Sequence, residues 1–260
     1  MKRMALGLAC LGLWLGMAGK SEATISLGYI NSSGSTLNYL PAYGINVTYL
    51  NNPIGLTAAS LAGFDAVMVA SNGGFSDPTG IGNAVADFAD TGKGVVLTEF
   101  EFYGFSGLQV AGRLATVGYT PFTPDSSGTN YVVPDILGTI YQPSSPILNG
   151  VNKANVTTGY QHIVGLAAGA HLVADWATTG RHAIAYNNLA HSSIVGLNLF
   201  PPDGYGSSTP DSQRMIANAI IFSTVSPSAA VPEPSTFVAA TLAGTVALGS
   251  MLRRRKLARS

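Results

Sequence analysis

Two apolar runs, Asp65-Ala66-Val67-Met68-Val69-Ala70 and Gly94-Val95-Val96-Leu97-Thr98, flank a helical pattern and constrain the fold more than any other feature of the chain. A short run that is apolar on both faces, without alternation, reads as a strand buried in a parallel sheet. Between the two, Ile81, Val85, Phe88 and Ala89 share one face of a helix over residues 81–89, and Gly92 is placed to end it. Strand, helix and strand at this spacing form a βαβ unit with a right-handed crossover.

The pattern extends to both sides. Residues 25–29 and 45–50 read as strands, with short helical stretches at 35–40 and 57–61. After residue 120 the chain is rich in Pro, Ser, Gly and Asn, which predicts an irregular excursion or a small hairpin as far as residue 159. Regularity returns in three strands at 171–176, 183–187 and 193–199, with Thr178-Thr179-Gly180 able to turn the first into the second. A helix over 211–222 follows, with Asp211 as its N-cap and Met215, Ile216, Ala219, Ile220 and Phe222 on its apolar side. The expectation is an α/β domain over residues 24–224, a mainly parallel sheet flanked by helices in a flavodoxin-like manner. No internal repeat is visible.

Both ends of the chain differ from this domain. Lys2 and Arg3 precede an apolar run over residues 4–17 and the small-x-small pattern of Ser21 and Ala23, which reads as a signal peptide over 1–23 for the Sec translocon and signal peptidase. A cut after Ala18 is the alternative. Gly7-Leu8-Ala9-Cys10 lacks the first leucine of a lipoprotein box and lies too early in the apolar run. At the other end, a linker over 225–230 leads to Val231-Pro232-Glu233-Pro234-Ser235, an apolar segment over 237–252, and Arg253, Arg254, Arg255 and Lys256. As a helix the apolar segment spans roughly 24 Å, short of a hydrocarbon core of about 30 Å, so the arginines must snorkel to the interface. The positive-inside tendency puts that basic end in the cytoplasm.

The order Pro-Glu-Pro, apolar span and basic cluster resembles the PEP-CTERM sorting signal of Gram-negative bacteria. That resemblance implies hand-over to a membrane-embedded exosortase, anchoring in the inner membrane before cleavage of the tail over 231–260, and delivery to the cell surface or extracellular matrix. A plain single-pass tail anchor is the alternative.

Composition removes several functions. Cys10 is the only cysteine, so cleavage of the leader leaves a domain with no disulfide, thiolate metal site or cysteine nucleophile. Between residues 24 and 230 five bases stand against eleven acids, a net charge of minus six with no Lys/Arg run, which argues against a nucleic-acid partner. A surface of Ser, Thr, Asn, Gly and Tyr is common among secreted proteins that meet polysaccharide.

The strand order, the glycine-bearing loop after residue 70, the approach Gly92-Lys93-Gly94-Val95-Val96-Leu97 and the late strand Ile194-Val195-Gly196-Leu197-Asn198 together resemble the class I glutamine amidotransferase-like fold, particularly its ThuA-like branch. In the catalytic members the fourth strand runs into an elbow bearing cysteine, and the late strand is followed by His-Pro-Glu. Here those positions read Glu99-Phe100-Glu101 and Phe200-Pro201-Pro202-Asp203. The resemblance therefore implies a scaffold without its best-known activity.

Open α/β sheets place ligands beyond the carboxyl ends of their strands, where three loops should converge: Asn72, Gly73 and Gly74 in the first, Glu99 to Tyr103 in the second, Asp203 and Tyr205 in the third. Were the fourth strand to continue, Glu99 and Glu101 at i and i+2 would share one side, and mutual repulsion could tune one of them for acid/base work. The plainer reading has them solvating the strand end, with Phe100 and Tyr103 packed beside them. His162, His171, His182 and His191 show no metal-ligand spacing and read as scattered surface or sheet-edge residues. Gly73-Gly74 lacks the companions of a phosphate loop and reads as a tight turn. No metal or cofactor is implied.

Overall fold

The computed structural model describes residues 24–104, 108–116, 118–124, 134–203 and 209–225. The proposed leader, the linker beyond Val225 and the sorting tail therefore lie outside the described residues, as does Tyr205. No helix among the described residues is long and apolar enough to cross a membrane.

Four strands open the domain: β1 (Ile25–Asn31), β2 (Ile45–Asn51), β3 (Ala66–Ala70) and β4 (Gly94–Thr98). β5 (Phe122–Pro124), β6 (Asp135–Ile140), β7 (Thr157–Thr158) and β8 (Val164–Leu166) come from the middle of the chain. β9 (His171–Trp176), β10 (His182–Asn188) and β11 (Ser193–Leu197) complete the set. Nine strands form one sheet in the order β2-β1-β3-β4-β11-β10-β9-β6-β7, and β5 pairs separately with β8.

The sheet is mixed. β2, β1, β3, β4 and β11 run parallel, whereas β11, β10, β9, β6 and β7 alternate in direction. The short links at Thr178-Thr179-Gly180 and between β10 and β11 leave no length for a crossover helix, so hairpins are the only connection available. The expected irregular excursion also proves more ordered than its Pro and Gly suggest, because it contributes β6 and β7 to the main sheet.

Helices cover the two faces. α2 (Pro78–Asp90) buries Ile81, Val85, Phe88 and Ala89 against one face, as its spacing predicts. α3 (Pro210–Ser223) buries Met215, Ile216, Ala219 and Ile220 against the other. A third helix, α1 (Ala58–Leu61), is a single turn held by a Thr57–Ser60 capping box.

Two starts differ from the sequence expectation. Pro at the first helical position moves each helix upstream: Asp77 caps α2 by accepting from Gly80 N at 3.0 Å, and Thr209 caps α3 by accepting from Ser212 N at 3.1 Å. Asp211 is therefore no cap, and its carboxylate accepts instead from Asn152 N and Asn155 Nδ2 at 3.0 and 2.9 Å, pinning the excursion to α3. The helix expected over 35–40 is absent. A 3-10 turn, Leu40–Tyr43, stands there, displaced by Pro41 and ended by Gly44 in the left-handed region.

Packing is closest where α2 meets the loop before the turn Gly112–Ala115. A Cβ on Gly82 would collide with the Ala111 carbonyl oxygen, a backbone atom that cannot move aside alone. Gly82→Ala should therefore lower stability despite alanine's higher helix propensity, by an amount on the order of 1–3 kcal/mol. Denaturant unfolding beside an exposed control, Asn83 excluded because it bonds Arg113 N, checks this, and an unchanged midpoint would contradict it.

Candidate functional site

β4 ends against β3 and β11 at the carboxyl edge of the sheet. Thr98 Oγ1 donates to Val69 O at 3.0 Å, and Glu99 N donates to Leu199 O at 3.2 Å. The chain then winds into a 3-10 turn, Glu99–Phe102, rather than continuing as a strand. The two carboxylates consequently do not share an extended face. Both are buried, which also removes the reading that they solvate a strand end.

Each carboxylate has its own surroundings. Glu101 Oε2 accepts from Val110 N at 2.8 Å, while Oε1 has no hydrogen-bond partner. Burial pushes this carboxyl up to about 8, the Val110 N–H holding it down only in part, so the group is mostly protonated at neutral pH. Glu99 Oε1 lies 2.7 Å from His162 Nε2, with side-chain exposures of 1% and 3%. These two atoms are each other's close polar contact, and Glu99 Oε2 is left without a hydrogen-bond partner among the described residues. Desolvation raises the Glu99 carboxyl, and the neighbouring imidazole offsets part of that rise.

His162 reaches this position because its backbone is clamped. Asn198, the residue after β11, accepts from His162 N at 2.8 Å and donates from Nδ2 to His162 O at 2.9 Å and to His182 O at 2.8 Å. Trp176 Nε1 donates to Asn198 O at 3.1 Å. Asn198, His162 and Trp176 are buried, and a buried amide satisfied on both sides fixes one geometry. Rings complete the enclosure: His162 packs on Tyr103 at 4.7 Å and Phe100 at 5.7 Å, and Phe100 meets Phe200 and Tyr160 at 5.2 and 5.7 Å.

The structure thus joins Glu99, Phe100 and Tyr103 to His162, Tyr160, Asn198 and Phe200. It does not bring in the rest of the expected cleft. Asp203 accepts from Asn38 N at 2.8 Å and Thr36 Oγ1 at 3.2 Å, serving the loop after β1. Asn72 is exposed, with its N–H donated to Ser32 Oγ, and Gly73 and Gly74 form a tight turn with φ of 145° and 84°. His162, Tyr160 and Asn198 were not evident as site residues in the sequence, since nothing in the spacing of a Pro- and Gly-rich excursion points to the end of β4.

The remaining histidines differ in setting. His171 stacks on Tyr186 at 4.8 Å and is exposed, as is His191. His182 Nδ1 lies 2.8 Å from Asp175 Oδ1, while Tyr141 OH donates to Asp175 Oδ2 at 2.6 Å. The expectation of surface or edge histidines therefore fails for His162, whose backbone clamp draws it inside. Among the described residues no group of three or more His, Cys, Asp or Glu side chains converges as metal ligands would.

No family model matches the chain, and no curated protein does. Solved structures do. The chain is similar to the cytoplasmic protein STM1381 from Salmonella typhimurium LT2, at a TM-score of 0.61 and 11% identity over 76% of this chain and 99% of that one. It is similar to cytoplasmic protein STM3548 from Salmonella typhimurium, at 0.58 and 11% over 78% and 99%. A putative ThuA-like protein from Parabacteroides merdae ATCC 43184 aligns at 0.49 and 9%, over 77% and 90%. At such identities the likeness establishes the fold alone, a mixed α/β sheet flanked by helices.

The buried carboxyls couple stability to pH. Glu101 has a folded-state pKa of about 8, above the ordinary carboxyl value, and Glu99 shifts in the same direction. The contribution of the protonated groups is therefore complete below the unfolded carboxyl value and is lost as pH rises toward 8. Their part of the stability should fall by up to about 1.4 kcal/mol per pH unit per group in that window. Glu101→Gln, which keeps an acceptor for Val110 N, should flatten the decline of Tm between pH 5 and 8; a slope identical to that of the parent chain would contradict the assignment.

Proposed function

We propose that the chain is an exported, exosortase-sorted component of the cell surface or extracellular matrix, whose α/β domain binds a glycan or another envelope partner without turning it over. The observation that carries the binding reading is the state of the elbow after β4. In place of a thiol it holds two buried carboxyls with raised pKa values, and the late segment offers Phe200-Pro201-Pro202-Asp203 in place of a base. A carboxyl that burial holds mostly protonated, as at Glu101, is poorly suited to attack a carbonyl, whereas enclosed polar atoms beneath aromatic rings suit recognition. The sorting part of the proposal rests on Pro232, Glu233, Pro234 and the arginines at 253–255, with the Sec translocon, signal peptidase, exosortase and inner membrane as successive partners.

A second reading is favoured by the Glu99–His162 contact. A raised carboxyl beside an imidazole is an acid/base pair, and a secreted hydrolase of carbohydrate or ester could use it. In that reading Glu101 supports the turn and is not the partner of Glu99.

Intact mass and fractionation of the protein from its native host test the sorting proposal. The expected mature form begins at Thr24, ends near Pro232 and is found outside the cell. Retention of residues 237–260 in the inner membrane would overturn it in favour of a tethered domain. Hydrolysis of a glycan or ester that disappears in Glu99→Gln would overturn the binding reading in favour of the enzyme.

A further inference from the structure

Seven buried side-chain polar atoms lack a hydrogen-bond partner among the described residues, and six of them belong to one end of the molecule. They are Ser71 Oγ, both oxygens of Glu99, Glu101 Oε1, Gln109 Oε1 and His162 Nε2, of which Glu99 Oε1 and His162 Nε2 face each other as an ion pair at 2.7 Å and the other four have no polar partner; the seventh is Ser145 Oγ. Register places them together. β3 and β4 pair with Val69 opposite Leu97, so Ser71, just past β3, and Glu99, just past β4, leave the sheet at the same edge. β11 pairs Leu197 with Thr98, which puts Asn198 and its captive His162 on the other side. Gln109 adjoins Val110, whose N–H is held by Glu101.

Unsatisfied buried polar atoms are costly, about 1–3 kcal/mol each, and a native cluster of them calls for a missing partner. The chemistry of the atoms specifies that partner. Five of the six are oxygens, and no described lysine or arginine forms an ion pair with Glu99 or Glu101. An oxygen-rich set is completed by a ligand that donates hydrogen bonds and carries positive charge. A metal ion would need a convergent ligand group, which the described residues do not provide. Aromatic rings favour an organic cation over a metal, and Phe100, Tyr103, Tyr160 and Phe200 surround the pair. Tyr103 and Tyr160 keep partial exposure and form its solvent side.

We propose that the carboxyl ends of β3, β4 and β11 form a site for a primary ammonium group, with Glu99 as its counter-ion, Ser71 as a further acceptor and the Tyr103 and Tyr160 rings at its mouth. This rests on the binding function proposed above and narrows it. In a polysaccharide matrix the group is the free amine of a hexosamine that carries no N-acetyl substituent. An ammonium has three N–H donors and no acceptor, matching what the site lacks. Binding is proton-linked: burial raises the Glu99 carboxyl and an adjoining ammonium lowers it again, so the protonated fraction of Glu99 gives up its proton to solvent as the ammonium docks.

The test is calorimetry on the full-length chain in detergent, at pH 6.5 in two buffers of different ionisation enthalpy. The probes are a glucosamine tetrasaccharide, its fully N-acetylated counterpart and the tripeptide Gly-Lys-Gly. The free-amine sugar should bind at least about tenfold more tightly than the N-acetylated one, releasing a fraction of a proton up to one per ligand. Glu99→Gln should abolish both the preference and the proton release. Should that variant fail to fold, Tyr103→Ala, at the rim, should weaken the free-amine sugar at least about fivefold with little change in Tm. Equal binding of the two sugars, absence of proton release, or binding of Gly-Lys-Gly as tight as the sugar would each overturn the assignment. Retention of the chain on host matrix polysaccharide is measured alongside. Retention without any amine preference would leave the binding function standing while this site assignment falls; no retention and no binding would remove both.

Discussion

A carboxyl group removed from water must be neutralised, paired or hydrogen-bonded, and the carboxyl edge of this sheet is organised around that demand. β4 is buried on both faces, so the residue that ends it enters the protein interior. Glu99 is that residue. Its neighbour in space is His162, and His162 is there because Asn198 spends its whole amide on the backbones of two other segments. Removal of the Asn198 amide would leave carbonyl and N–H groups of two other chain segments without partners, which is why one uncharged residue after β11 governs the geometry of the elbow.

The parallel half of the sheet and the two long helices were legible because they are written in short-range pattern. The runs at 66–70 and 94–98 and the face formed by Ile81, Val85, Phe88 and Ala89 need only local periodicity to be recognised. Helix starts were misplaced where proline at the first helical position outweighed a later acidic cap, as at Pro210 and Asp211. The antiparallel half was visible as strands but not as topology, since pairing direction depends on loop length rather than on the strands themselves. Of the site, Glu99, Phe100 and Tyr103 could be nominated from the strand that precedes them. His162 could not, because its position is set by long-range hydrogen bonds to Asn198, and the spacing of histidines along the chain carries no trace of them.

Fold and chemistry lead to different conclusions about this domain. The architecture is an open mixed α/β sheet of a kind that serves unrelated functions, and the turn at the end of its fourth strand holds buried carboxyls beneath aromatic rings. Scaffold and activity are separable in such folds, and the loops at the carboxyl edge are where they separate. The proposed binding role is consistent with this edge and with the sparsely basic, hydroxyl-rich composition of the rest.

The central claim is that the elbow carboxyls are held in the interior with pKa values raised by burial, and the sequence makes a direct measurement feasible. Only four glutamates occur, Glu22, Glu99, Glu101 and Glu233, so selective carbon-13 labelling of glutamate gives four side-chain carboxyl signals in the full chain. Glu99→Gln and Glu101→Gln assign two of them. The account predicts that both titrate above the ordinary glutamate range, Glu101 near 8. Titration of both near the ordinary value would mean exposed or conventionally paired carboxylates and would contradict it.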